Sequence, residues 1–203
     1  LNIRGSDVNY NPFCLAYCLV QKEKVTVYVG EKSLSHEVET YFQRQGIVVA
    51  DYDDFAIALT AVKGEKVLLD NAKVSYGFYQ LIEKENIILQ SVSPIAVLKM
   101  QKNEVEIEGI KQAMIKDAVA LVQFSRWLEY ALQAGGLVTE LSVSDKLKEC
   151  RENQSGFMGE SFATIAGYGK NGAIVHYQAT EETNTLIRKE GFLLLDSGGH
   201  YLH

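Results

Sequence analysis

A chain of 203 residues, 47% hydrophobic and 23% charged, is long enough for one large domain or two smaller ones and too apolar to stay disordered. Two prolines exclude a Pro-rich linker, and no apolar run approaches the roughly 18 residues of a membrane-spanning helix. Twenty basic against 26 acidic residues leave a net charge of −6, so neither a nucleic acid nor a membrane is expected as a partner.

The first hundred residues alternate strands and helices. The unbroken apolar run 13–20 reads as a strand buried on both faces. Four polar residues follow, and Val25, Val27 and Val29 then alternate as a second strand, so a hairpin is expected. Leu34, Val38, Tyr41 and Phe42 keep helical spacing up to Gly46. A strand at 47–50 leads to a helix capped by Asp53, with Phe55, Ala58, Leu59 and Val62 on one face. A strand at 66–69, a helix around Val74 to Ile82 and a strand at 87–89 complete an α/β pattern.

From 103 to 134 one long helical period takes over, with Asn103 as its cap and Gly135-Gly136 as its stop. Thr139 caps a second helix running to about Asn153, after which the chain turns glycine-rich. A last strand, 192–196, precedes Ser197-Gly198-Gly199. The switch from alternation to long helices puts a domain boundary near 99–102, giving domains 1–101 and 102–203.

Cys14, Cys18 and Cys150 form no disulfide framework. With no recognisable leader a reducing compartment is expected; Cys14 and Cys18 read as buried thiols packing as small hydrophobes, Cys150 lies in a polar run, and one C-x3-C pair is too few ligands for zinc. Asp196 stands at the mouth of an apolar strand, where a carboxylate either holds a metal or substrate or simply caps a turn. His176, after the glycine-rich loop, either serves a substrate or is a structural histidine in a half-buried strand. His36 reads as solvated, while His200 and His203 lie near Asp196 and could take a metal adventitiously. No nucleotide loop, serine triad or H-E-x-x-H zinc motif is present. Leu1, without methionine and already within an apolar segment, and the stop at His203 suggest a piece cut from a longer protein.

Several segments together resemble the Xaa-Pro aminopeptidases of the creatinase/prolidase superfamily. They are Leu1-Asn2-Ile3-Arg4-Gly5-Ser6-Asp7 with Asn11-Pro12, Asn103-Glu104-Val105-Glu106 and Thr139-Glu140-Leu141-Ser142. Further on come Asn171-Gly172-Ala173-Ile174-Val175-His176-Tyr177, Glu182-Thr183-Asn184 and Leu195-Asp196-Ser197-Gly198-Gly199-His200-Tyr201. The match covers most of the chain in the family's order, and 21–93 matches only in general character.

The resemblance implies an α/β (α+β) fold. A creatinase N-terminal-like mixed sheet with flanking helices, its opening elements missing, would precede an incomplete pita-bread catalytic domain. It implies a site of two divalent metal ions, commonly manganese, with Asp196 as the first of five ligands and His176 contacting substrate and intermediate. The other four ligands would lie beyond His203, so the parent would cut before proline and this piece alone would be silent. Proline-containing peptides would be its substrates, the cytoplasm its compartment, and a homodimer its possible assembly. A non-catalytic scaffold of the same fold, or a prolidase acting on Xaa-Pro dipeptides, are the alternatives.

Overall fold

A computed structural model describes residues 3–30 and 33–202 of the chain. Leu1, Asn2 and His203 therefore lie outside the described residues, and with them the opening of the first motif and the expectation for His203. The chain divides into two compact units, one of 1–8 with 12–102, the other of 9–11 with 103–203.

In the first unit, β1 (Ala16–Val20) and β2 (Val25–Val29) form the expected antiparallel hairpin, closed by Gln21 N donating to Lys24 O at 2.8 Å. Helix α1 (His36–Arg44) starts where the Ser35 side chain accepts from Val38 N. It buries Phe42 on Val27 and Val29. The chain then returns as β3 (Ile47–Asp51), parallel to β2, so the strand order is β1-β2-β3.

That order corrects the expectation for the apolar run. The strand covered on both sides is β2, flanked by β1 and β3, whereas Leu15 is 56% and Val20 66% exposed. Apolarity alone cannot tell a central strand from an edge strand; the pairing decides it.

Asp51, rather than Asp53, caps the next turn, accepting from Asp53 N ahead of a short 3-10 turn and α2 (Phe55–Thr60). Then β4 (Lys66–Leu69), α3 (Tyr76–Glu83) and β5 (Ile87–Gln90) follow, with β4 and β5 parallel. Tyr17 of β1 stacks on Phe55 at 4.2 Å between ring centres, and Phe78 meets both rings edge-on. One edge of β1 and one edge of β4 are unpaired among the described residues. A cavity of about 820 Å³ runs along both strands, floored by Phe55, Leu59 and Phe78. Helix α4 (Pro94–Met100) was not legible from periodicity; Pro94 in its first turn supplies a preset φ where no N–H is needed.

The second unit opens with α5 (Glu104–Gln133), 30 residues long, whose Asn103 cap and Glu106 form a reciprocal capping box. Gly135, at φ +75, ends it, and α6 (Glu140–Glu152) begins from a second capping box made by Thr139 and Ser142. Ala120 and Phe124 of α5 pack with Val143, Leu147 and Cys150 of α6 into the core.

Two short antiparallel pairs lie beside the helices: β6 (Phe157–Glu160) with β9 (Gly199–Tyr201), and β7 (Ile165–Tyr168) with β8 (Leu193–Asp196). Strands β6 and β7 come from the glycine-rich stretch that reads as loop. Gly167 is there because a Cβ would come within 3.0 Å of the Gly172 backbone.

Burial reverses the expectation of a packed thiol at Cys18, which is exposed on β1, while Cys150 is 4% exposed in the core; desolvation pushes both thiols up from the ordinary value, so accessibility is what separates them. A thiol reagent at neutral pH is expected to modify Cys18 in the native protein and to reach Cys150 only after denaturant is added. Peptide mapping of the labelled chain checks this, and equal labelling of both would contradict the packing of α6.

Candidate active site

Asp196 closes β8 opposite Ile165, and its side chain is exposed. Its carboxylate takes no hydrogen bond or ion pair among the described residues, and no group of three or more His, Cys, Asp or Glu there could hold a metal ion. As a hard oxygen donor it suits a divalent cation of the magnesium, calcium or manganese type. One carboxylate fits one ligand position of a two-metal site; the rest of the ligand set is not built by these residues.

The turn after Asp196 is held from below. Arg151, fully buried near the end of α6, donates from Nε to Asp117 Oδ1 at 2.8 Å and from Nη2 to Asp117 Oδ2 at 3.2 Å. The same Nη2 reaches Ser197 Oγ at 3.1 Å. Tyr201 closes the cluster by donating its hydroxyl to Asp117 Oδ1 at 3.0 Å. A Cβ on Gly199 would lie 3.3 Å from Arg151 Cδ, so the start of β9 rests directly on the arginine stem. Beyond it, a Cβ on Gly198 would meet the Ser161 hydroxyl, so a side chain there would require Ser161 to turn away. Arg151 Nη1 is buried and without a partner among the described residues.

His176 sits differently from its sequence reading. It is exposed in a turn, with φ 55, and not in a half-buried strand. The turn closes where Tyr177 N donates to Ile174 O at 3.2 Å. Positive φ in a non-glycine residue is uncommon and costs on the order of 1–3 kcal/mol, so the surroundings must impose it.

Glu140 imposes it. This carboxylate, fully buried at the first residue of α6, accepts from Tyr168 N at 2.7 Å and from Asn171 Nδ2 at 3.0 Å. It also accepts from the Tyr177 hydroxyl at 2.9 Å and from Thr185 N at 3.1 Å. Burial and the bond to Glu140 both push the Tyr177 hydroxyl up, while a bond to Thr183 opposes them. The segment is tied further by Ile187 N donating to Val138 O at 2.8 Å and by Leu141 N donating to Asn184 Oδ1 at 3.2 Å.

No hydrogen bond or ion pair joins His176 to Asp196 among the described residues; each is held by its own buried cluster. Sequence reasoning took Thr139-Glu140 as a helix start and gave Glu140, Arg151 and Asp117 no part in a site. The available signal was weak: charged residues on the apolar-facing positions of two amphipathic helices. His200 is not free to bind metal through Nε2, which lies 2.8 Å from the Tyr10 carbonyl oxygen. A carbonyl only accepts, so that nitrogen carries the proton. His36 is solvated as read, its side chain 95% exposed.

Compared with known proteins, residues 1–106 match the creatinase/prolidase N-terminal domain and residues 108–203 match metallopeptidase family M24. Xaa-Pro aminopeptidase 1 of Dictyostelium discoideum is 39% identical over 207 residues, covering 100% of this chain and 32% of that protein. Xaa-Pro aminopeptidase ApepP of Drosophila melanogaster is 37% identical over 209 residues, covering 100% of this chain and 33% of that protein. Among solved structures, the X-prolyl aminopeptidase of Caenorhabditis elegans superposes with a TM-score of 0.90 at 27% identity, over 98% of this chain and 33% of that one. It is described as a cytosolic enzyme with a di-nuclear active site. The Xaa-Pro dipeptidase of Bacillus anthracis, at 20% identity and a TM-score of 0.64, covers 93% of this chain and 52% of its own and shares the fold. The chain thus spans about a third of the length of the aminopeptidases it matches.

Two tests probe the cluster beneath Asp196. Arg151→Ala strands Asp117 and is expected to cost about 3–5 kcal/mol in urea unfolding, whereas Arg151→Met with Asp117→Leu should be near neutral, because a buried ion pair removed whole takes its desolvation penalty with it. A second test uses pH. Tyr201 is pushed up to about 12, first by burial and then by its hydrogen bond to Asp117. Its raised folded value means stability is intact below the unfolded pKa of about 10 and declines as pH rises towards 12. Tyr201→Phe is expected to flatten the alkaline slope relative to the native chain; identical slopes would contradict the buried position.

Proposed function

We propose, since this chain belongs to the creatinase/prolidase family of metallopeptidases, that it is part of a Xaa-Pro aminopeptidase that hydrolyses the bond between a first residue and a following proline. Residues 1–101 form its creatinase-type N-terminal domain and residues 102–203 the beginning of its catalytic domain. The observation that carries this reading is the pairing of an unbonded carboxylate, Asp196, at the end of β8 with an exposed, conformationally forced histidine, His176, each fixed by a buried polar cluster. These are the positions that the resemblance gives to a metal ligand and to a substrate contact.

Asp196 is the ligand this chain supplies, one negative oxygen donor towards two divalent ions, with manganese the expected metal. Such ions, when bound, supply Lewis acidity and a nucleophilic water at neutral pH. His176 supplies a hydrogen bond to the substrate carbonyl or to the oxyanion that forms from it, a contact that gains strength as charge develops. Its exposure leaves the ring open to an incoming peptide.

Proline-containing peptides are the substrates, and a homodimer is the assembly proposed for the whole protein. The cytosolic Caenorhabditis elegans relative and three cysteines without a disulfide support a cytoplasmic site of action. Net charge −6 supports the absence of nucleic acid among the partners. Among the described residues no helix is long and apolar enough to cross a membrane.

The full-length protein is expected to release the first residue from an Xaa-Pro-Xaa peptide in the presence of Mn²⁺ and to stop when the metal is chelated. Asp196→Asn should abolish turnover and lower the metal content measured by atomic absorption. His176→Ala should lower kcat by about 10²–10³-fold with metal content retained. The 203-residue chain alone should show no turnover, and robust activity from it would sink the assignment of the missing ligands to other parts of the protein. A metal-free, inactive full-length protein would favour a scaffold.

A further inference from the structure

The Glu140 cluster carries an inference about the same reaction, and it rests on the role proposed above for His176. The turn bearing His176 hangs between two anchored points. Tyr168 and Asn171 precede it, Tyr177 and Thr185 follow it, and all four donate to the one carboxylate. No salt-bridge cation is bonded to Glu140 among the described residues, so its burial is compensated by those donors and by its place in the first turn of α6. A side chain that only filled space here would be apolar, because an unneeded buried carboxylate is a desolvation cost. What the carboxylate adds over an apolar side chain is direction: it fixes both flanks of the turn to the rigid start of α6, with His176 next to Tyr177 and held at φ 55. Removing one of these bonds leaves a flank with a single anchor to Glu140, and the first residue to relax is the one in the strained conformation.

We infer that Glu140 is a positioning residue for His176, acting through Tyr177 and Asn171 to hold the imidazole where it meets the substrate. Glu140 does not touch the substrate; its effect runs through the geometry of the turn. Loss of a single bond from the cluster should therefore slow the chemical step and leave the binding of the ground state and of the metal largely as they were.

The test is a double-mutant cycle in the full-length protein. Tyr177→Phe removes the hydroxyl donor and keeps the ring, so the packing around it survives. It is expected to lower kcat by up to about 100-fold, the scale of a catalytic group misplaced by an ångström, with KM and metal content within about twofold of the parent. In the His176→Ala background the same substitution should have no further effect on kcat. Equal losses in both backgrounds would show a general structural role and overturn the inference. Unchanged kcat in Tyr177→Phe, with a clear loss in His176→Ala, would overturn it too while sparing the role of His176. Full activity of His176→Ala would remove that role and the inference together. Asn171→Ala, on the other flank, gives a second arm that should repeat the Tyr177→Phe pattern.

Discussion

Helix α6 carries a buried charge at each end, and both segments of interest hang from it. Glu140 occupies its first position and Arg151 its last turn, each fully buried. An acid at the positive end of a helix and a base at the negative end are each favoured by the macrodipole, so both charges sit where the backbone field helps hold them. Between them Val143, Leu147 and Cys150 lock the helix into the core against Phe124 of α5. The two charges are about 16 Å apart along the axis at 1.5 Å per residue. One grips the loop with His176 and the other bonds Ser197 in the turn after Asp196, so a single helix spaces the two groups proposed for the site.

This arrangement explains which parts were readable from sequence. The long helices were legible because their signals are local: Asn103 with Glu106 and Thr139 with Ser142 announce their caps within four residues, and Gly135 announces the stop. Asp196 was legible as a strand end. The buried partners were not, since Glu140 meets Asn171 from 31 positions away and Arg151 meets Ser197 from 46. Nothing in a local window distinguishes a buried Glu at a helix start from a solvated one. Strands β6 and β7 escaped for a related reason. Their glycines, read as loop formers, permit backbone against backbone, as Gly167 does with Gly172, and that is visible only when the neighbour is in place.

The first unit shows the reverse limit. There the pattern of strands and helices was readable, yet the burial ascribed to the run 13–20 belongs to β2. A strand's own residues report how apolar its surroundings must be, and its neighbours report whether those surroundings exist. With an unpaired edge on β1 and another on β4, and an apolar cavity running along both, the unit leaves open a length of backbone that its residue types are suited to bury.

The two clusters on α6 differ in how far their charge is matched, and that difference bears on what each can do. Glu140 has four separate donors, one at the end of β7 and three in the segment after it, so its energy is spread over bonds that each fix a different point of the chain. Arg151 is matched mainly by one carboxylate, gives one bond to Ser197 in the turn after β8 and, among the described residues, has no partner for Nη1. Buried ion pairs of that kind add little net stability against an apolar replacement, so the ion pair is weak as a support for the fold and its distinct contribution is the orientation of Ser197. If Asp196, next in sequence, is the metal ligand proposed above, it needs that orientation more than added stability, since a cation is sensitive to ligand direction as well as to charge. The same reasoning separates fold from function across the whole second unit: the apolar contacts of α5 and α6 keep it folded, and the buried polar contacts decide where its two exposed groups point.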